Sequence, residues 1–380
     1  MGRIEWANSL RGLAAMSVLI GHFAGTFWTH HGIAASLARR PPLYSGAEGM
    51  PLFARFVDWL PISLGGFGVT IFFLLSGYVI SISLASYSRT GFLIGRLMRL
   101  PPTYAAGYLV TCAVIWAVSD PKGELSAINV ITGALPGLSL LLGVPAPKDG
   151  IVWTLIVEIV FYAFCLAFHL RLASCWKTVA GIAVLCAAAQ WLIAPVPLKS
   201  SWYGLIYVVL LACPFLPVIL IGVVLASYRR GGFSTFQAQL LFAYLISMHL
   251  ILMYTSTLVQ TPLKFKITSI VSILLFTAIW TIAESWRQNA VSKFLADISY
   301  PLYVAHPVLG YALLSVLAAN GMPTGGAVLI ATAAAILVAW LLHRAIEKPT
   351  HRLGRRWARR LSEPRYDWKP LQWRMREHQA

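Results

Sequence analysis

The sequence predicts an all-α, polytopic transmembrane helical bundle, and three observations predict it. Of 380 residues, 58% are hydrophobic and only 11% charged, and the mean hydropathy is +0.72, beyond the range of ordinary soluble domains. Apolar runs of roughly 17 to 25 residues recur along the chain, each long enough to cross a bilayer. The lysines and arginines then fall unequally on the two sides that these runs define.

Taken in order, the spans lie at residues 9–29, 63–84, 101–118, 151–169, 178–194, 205–227, 236–258, 267–285, 299–318 and 324–344. An eleventh apolar stretch, 126–144, is interrupted by Gly133, Pro136 and Gly137, which suits a half-span or an interfacial segment. Charge decides its status. With ten spans and both termini cytoplasmic, 22 of the 30 Lys and Arg residues are inside and 8 outside. A full crossing at 126–144 would put Arg89, Arg96 and Arg99 on the opposite side from Arg229, Arg230 and the C-terminal charges, so the segment is left uncrossed. The first span has polar edges and many spans behind it, unlike a cleaved signal peptide.

The external side then carries one long early loop, residues 30–62, rich in prolines and glycines and expected to be irregular. No low-complexity stretch or internal repeat stands out. Residues 1–350 read as one transmembrane domain and 351–380 as a basic cytoplasmic tail. Eleven of the 30 Lys and Arg residues lie from Arg344 onward. The net charge of +17 is therefore concentrated beside the last span, which favours anionic membrane lipid over nucleic acid. The five cysteines show no paired or metal-binding spacing, and no metal site is expected.

Four constellations carry chemistry. In "LRGLAAMSVLIGHF", Arg11 and His22 are eleven residues apart, which on a helix returns almost to the same azimuth about 16 Å further along. Asn8 and Ser17 lie near that face, giving the first span a polar seam. Ionisable residues at such depth point to function; the structural alternative is that Arg11 snorkels and His22 bonds a neighbouring helix. In "RTGFLIGRLMRLPPTY", Arg96 and Arg99 share a face if helical, and paired guanidiniums grip phosphate well, although they also set topology. Pro101 and Pro102 then open the next helix. In "GIVWTLIVEIVFY", Glu158 is the lone acid, with Thr154 and Tyr162 a turn to either side. Its depth, about 10 Å from the outer edge, is close to that of His22, so the two are expected to meet, or else Glu158 pins two helices. In "ADISYPLYVAHPVLG", Ser299, Tyr303 and His306 present a hydroxyl, a phenol and an imidazole on one face. A stripe of Gly66, Thr70, Gly77 and Ser81 on the second span reads as close packing.

These segments together resemble the acyltransferase-3 family of integral-membrane O-acyltransferases. The matches run in family order: "RGLAAMSVLIGH", "IFFLLSGYVIS", "RLMRLPPTY", "WTLIVEIVFY", "ISYPLYVAHP" and "EKP", from about residue 5 to 350. The basic segment lacks an additional arginine that many relatives carry at its start. The resemblance implies a multi-pass protein of the bacterial inner membrane that moves an acyl group, often acetyl from acetyl-CoA, to a hydroxyl of a saccharide or surface glycan. Acyl-CoA would be a donor substrate, with no permanently bound cofactor. His22 would be the catalytic histidine with Arg11 its motif partner, and Arg96 and Arg99 a site for CoA phosphates. Glu158 is assigned to catalysis with His22 and Arg11, and Ser299, Tyr303 and His306 to substrate or structural support. In a mechanism consistent with this, acyl-CoA docks from the cytoplasm, the acceptor enters from outside, and neutral His22 takes the proton of the attacking hydroxyl while Glu158 or a neighbouring group steadies the imidazolium; an acyl-histidine relay is the alternative. The rival from another class is a proton-coupled transporter or a flippase of a lipid-linked sugar, for which inverted repeats are the missing sign.

Overall fold

The computed structural model describes residues 4–43, 50–119, 125–193, 202–283 and 286–362, and no strand occurs among them. Eight helices among the described residues are long and apolar enough to cross a membrane, and a bent pair makes a ninth. The helix Val152–Phe168 is apolar but shorter.

Helix α1 runs Glu5–Ile20, opens into a π-helical turn at Gly21–Thr26 and closes with Phe27–Thr29. Two eight-residue helices follow, α2 (His31–Ala38) and α3 (Leu52–Trp59), where an irregular loop was expected. The prolines and glycines fall between them, and residues 44–49 of that loop lie outside the described residues. The reason is tertiary: Ala34, Ala35 and Ala38 of α2 and Ala54 of α3 bury on the bundle, so short amphipathic turns form there.

Helix α4 (Leu64–Leu84) is capped by Ser63, which accepts from the Gly66 amide. After α5 (Arg89–Leu97), α6 (Leu100–Val118) opens on the two prolines, as their missing donors allow. Residues 126–144 form two short helices, α7 (Ala127–Gly133) and α8 (Leu138–Leu142), parted by Gly137 at a φ of 80°. At about 1.5 Å per residue neither reaches across a bilayer.

Next come α9 (Val152–Phe168), α10 (Arg171–Ser174), α11 (Trp176–Ile193), α12 (Tyr203–Ala212) and α13 (Leu216–Arg229). The segment read as one straight span at 205–227 is bent by 48° between α12 and α13. Pro214 and Pro217 break it, and the Pro214 carbonyl accepts instead from Nδ1 of His249 at 2.7 Å. The chain finishes with α14 (Thr235–Thr255), α15 (Leu263–Thr281), α16 (Ala290–Ala319), α17 (Thr324–Leu342), a π turn at His343–Glu347 and α18 (Lys348–Leu361).

The boundary expected at residue 350 therefore falls inside continuous helix. Gly354 and Ala358 of α18 bury against α5, so part of the basic segment packs as a helix on the bundle. Residues 363–380 of the expected tail lie outside the described residues.

Two packing centres organise the rest. Helix α4 is surrounded by α1, α13 and α15, and α16 by α1, α6 and α17. Lipid offers apolar contact as readily as another helix does, so close association needs small residues that let backbones approach. Gly77 of α4 and Gly222 of α13 supply them: a Cβ on the first would overlap the Ile219 carbonyl, and one on the second the Leu74 carbonyl. Gly66, in the same expected stripe, faces Phe265 of α15 instead. Replacing Gly77 by leucine should destabilise the protein by about 1–3 kcal/mol or more, since neither backbone can yield cheaply. Thermal unfolding in detergent reads this directly, and an unchanged midpoint would contradict the crossing.

Candidate active site

Helices α1 and α16 lie side by side and run in the same direction. At one end the Gln288 amide donates to the Glu5 carboxylate at 2.9 Å. A turn and a half along, Arg11 donates through Nε to Ser299 Oγ at 3.1 Å and through Nη2 to the Ala296 carbonyl at 3.0 Å. Further along, His22 Nδ1 and His306 Nε2 are 3.1 Å apart. Both polar seams thus face each other, and an apolar medium rewards that arrangement because an unpaired group there is costly. Asn8 lines a cavity beside Arg11, while Ser17 turns to α4 and donates to the Leu64 carbonyl at 2.8 Å.

The imidazole pair has a defined proton arrangement, and the reason begins with a proline. Pro307 has no amide hydrogen, so the Tyr303 carbonyl one turn earlier loses its helical donor. His306 Nδ1 replaces it, lying 3.0 Å from that carbonyl and 2.9 Å from the Leu302 carbonyl. Carbonyls only accept, so Nδ1 of His306 carries the proton, and Nε2 of the neutral ring is an acceptor. His22 must then donate through Nδ1, which leaves its Nε2 lone pair unspent. No hydrogen-bond partner meets Nε2 among the described residues, and the ring borders a cavity. The π turn at Gly21–Thr26 carries this ring, and Gly21 admits the α4 N-terminus: a Cβ there would stand 2.7 Å from the Gly65 nitrogen.

Two cavities reach this region. One, of about 330 Å³, lies toward the end that holds the arginines and is lined by Arg11, Arg96, Arg99 and Glu158. Arg96 donates to Ser83 Oγ at 2.9 Å and lies over the rings of Phe92 and Tyr162. Arg99 Nε and Asn8 Nδ2 are buried without a hydrogen-bond partner among the described residues. Three guanidiniums against one carboxylate make this an anion-seeking space.

Glu158 accepts from Ser76 Oγ at 3.2 Å and from the Tyr162 hydroxyl. The expected meeting of Glu158 and His22 does not occur; the hydrogen-bond partner of His22 is His306. Helical rise placed the two groups at matching depth, but α9 packs against α4, α12 and α13, so its acid faces the arginine cavity.

The second cavity, of about 310 Å³, is lined by His22, Thr26, Thr29, Asp58, Lys264 and Trp153, among others. Among the described residues, only Val69 and Tyr303 border both spaces. The Tyr303 hydroxyl lies 2.9 Å from Thr154 Oγ1, and Thr154 itself donates to the Ile151 carbonyl at 2.9 Å, so the phenol is the donor of the pair. The three groups expected on one face of α16 thus divide their contacts: Ser299 meets Arg11, Tyr303 stands between the cavities, and His306 meets His22.

Asp149 is a structural support beside the site that sequence reasoning missed. Its buried carboxylate accepts from the Tyr104 hydroxyl at 2.7 Å and from the Ile151 and Val152 amides at 3.0 Å each, tying down the start of α9 and hence Thr154. Burial pushes this carboxyl above the ordinary carboxylate range, against the pull of those bonds. The available signal was an aspartate shortly before a helix start.

A site of this form, a base with an unspent lone pair and an anion-binding space on its other side, suits transfer of a group carried on a phosphorylated donor to a hydroxyl or amine. Comparisons with known proteins bear on which group. Residues 4–344 match the acyltransferase domain family known as acyltransferase-3. The chain is 27% identical over 343 residues to the acyltransferase MdmB of Streptomyces mycarofaciens, covering 77% of this chain and 83% of that protein. No solved structure matches the chain significantly.

The Arg11 bridge makes a stability prediction. Arg11→Ala removes two charge-assisted hydrogen bonds between α1 and α16 and should cost about 1–3 kcal/mol. A lowered unfolding temperature in detergent is expected, and one equal to the parent would show that the bridge contributes nothing.

Proposed function

The chain belongs to the acyltransferase-3 family, and from that premise we propose that it carries an acyl group, acetyl in the simplest case, from acyl-CoA to a hydroxyl of a saccharide or surface glycan. The observation that carries this reading is the pair of cavities: arginines line one, an imidazole with an unspent lone pair lines the other, and among the described residues Val69 and Tyr303 line both.

The basic end faces the cytoplasm in this reading, as positive charge does beside a membrane. CoA phosphates rest against Arg96 and Arg99, whose buried Nε lacks a partner, and the acyl-carrying arm extends along the apolar wall of α4. The acceptor occupies the histidine cavity, where Thr26, Thr29 and Asp58 offer hydrogen bonds and Trp153 an apolar face, a mixture that suits a sugar. His22 Nε2 takes the hydroxyl proton as the oxygen attacks the thioester carbon, and the departing thiolate receives that proton from the imidazolium. His306 keeps His22 in the reactive tautomer, as the orienting member of a catalytic dyad does. Glu158, bonded within the arginine cavity, serves the donor side. The arrangement lets a cytoplasmic donor modify an external molecule while CoA itself stays on its own side.

His22→Ala should lower acyl transfer from labelled acetyl-CoA to saccharide acceptors by about 10²–10⁴-fold, the range of a positioned general base, with membrane abundance unchanged. Full turnover in that variant would reject the assigned base. Arg99→Ala should raise the donor KM by about 10- to 100-fold, the worth of one charged hydrogen bond, while kcat is largely kept. A donor dependence identical to the parent would remove Arg99 from the donor site.

A further inference from the structure

We propose that the Tyr303 phenol is a catalytic residue, the hydrogen-bond donor that stabilises the negative charge developing on the thioester carbonyl oxygen during acyl transfer. The inference rests on the acyl transfer proposed above and assigns one more of its working parts.

The argument starts from where the reacting carbon must sit. His22 borders only the histidine cavity, and Arg96 and Arg99 border only the arginine cavity. A donor held by those arginines meets an oxygen activated by that imidazole only at the boundary between the two spaces. Among the described residues, two line both spaces, Val69 and Tyr303. Of these, only Tyr303 carries a polar side-chain atom.

The charge on the carbonyl oxygen needs a donor there, because an oxyanion in an apolar site without one is prohibitively costly. The arginines do not serve: Arg11 lies eleven residues from His22, about 16 Å along the helix, and is engaged with Ser299 and Ala296. His306 has committed its proton to the Leu302 and Tyr303 carbonyls.

Tyr303 is built to hold a donor in place. The ring is buried and packs edge-on against Phe72 at 5.4 Å and beside the His306 ring at 6.1 Å. Its hydroxyl points at Thr154 Oγ1, a residue of the arginine cavity, so the O–H sits on the side from which the thioester arrives. Rotation about the phenol C–O bond redirects the hydrogen from Thr154 to the carbonyl oxygen without moving a heavy atom. Thr154 then turns its own hydrogen from the Ile151 carbonyl to the phenol oxygen, so the two hydroxyls stay bonded to each other with donor and acceptor exchanged.

The transfer step balances with no further reactant. The acceptor oxygen bonds to the thioester carbon while its proton passes to His22 Nε2. Charge gathers on the carbonyl oxygen under the Tyr303 hydrogen bond, and the C–S bond then breaks. The electron pair leaves with sulfur, and the imidazolium proton completes the thiol. Tyr303 keeps its proton throughout.

The test is Tyr303→Phe in the full chain, assayed with acetyl-CoA and a saccharide acceptor beside Tyr303→Ala and His22→Ala. Phenylalanine keeps the ring contacts with Phe72 and His306, so membrane abundance and unfolding temperature should match the parent. The expected result is a fall in kcat of about 10²–10³-fold, the cost of one oxyanion donor, with both KM values little changed. A purely structural wall predicts the opposite pattern, in which Phe behaves as the parent and only Ala is impaired, and that pattern would overturn the proposal. If His22→Ala retained full turnover, the base assigned above would fail and the phenol with it; if His22→Ala were inactive and Tyr303→Phe active, the phenol alone would fail.

Discussion

A hydrogen bond between two imidazoles, His22 Nδ1 to His306 Nε2 at 3.1 Å, joins the two helices on which the site is built. Each ring would be expensive to bury alone in an apolar bundle, and each is satisfied only because the other stands opposite. The bond has a direction because Pro307 leaves the Tyr303 carbonyl without its helical donor, and the His306 Nδ1 proton fills that place. A missing amide hydrogen on one helix thereby determines which nitrogen of a ring on another helix stays available. Buried polar groups in a membrane protein act as a linked set, and the order of protons in this one leaves a single imidazole nitrogen, Nε2 of His22, with an open lone pair.

That arrangement needs close backbones. Gly77 and Gly222 bring α4 and α13 into contact, and Gly21 admits the start of α4 beside the His22 turn. Among the described residues, Val69 of α4 and Tyr303 of α16 line both cavities, so the arginine space and the imidazole space come close together at these two side chains.

Much of this was legible in the residues before any coordinates. Arg11, His22, Arg96, Arg99, Glu158, Ser299, Tyr303 and His306 stand out because charge and hydrogen-bonding groups are rare within apolar runs and lie at helical spacing. All eight line one cavity or the other, or bond a residue that does. The partnership of Glu158 was misread: rise per residue gives depth, but the neighbour of a side chain depends on which helices pack, and α9 lies against α4 rather than α1. Asp149 was passed over because a single acid in a loop looks solvated until Tyr104 and two amides close around it.

By itself the sequence determined the class of molecule, its many apolar helices, the break at 126–144, the family motifs and the polar residues that must find partners. Each of these follows from local chemistry: apolar length against bilayer thickness, prolines and glycines against helix continuity, charge against lipid. Tertiary structure alone decided who those partners are. It turned residues 31–38 and 52–59 into helices, packed the basic segment onward as α18 and paired His22 with His306. Those outcomes rest on contacts between residues far apart in the chain, up to 288 positions for Arg11 and Ser299, and no local periodicity encodes a contact of that kind.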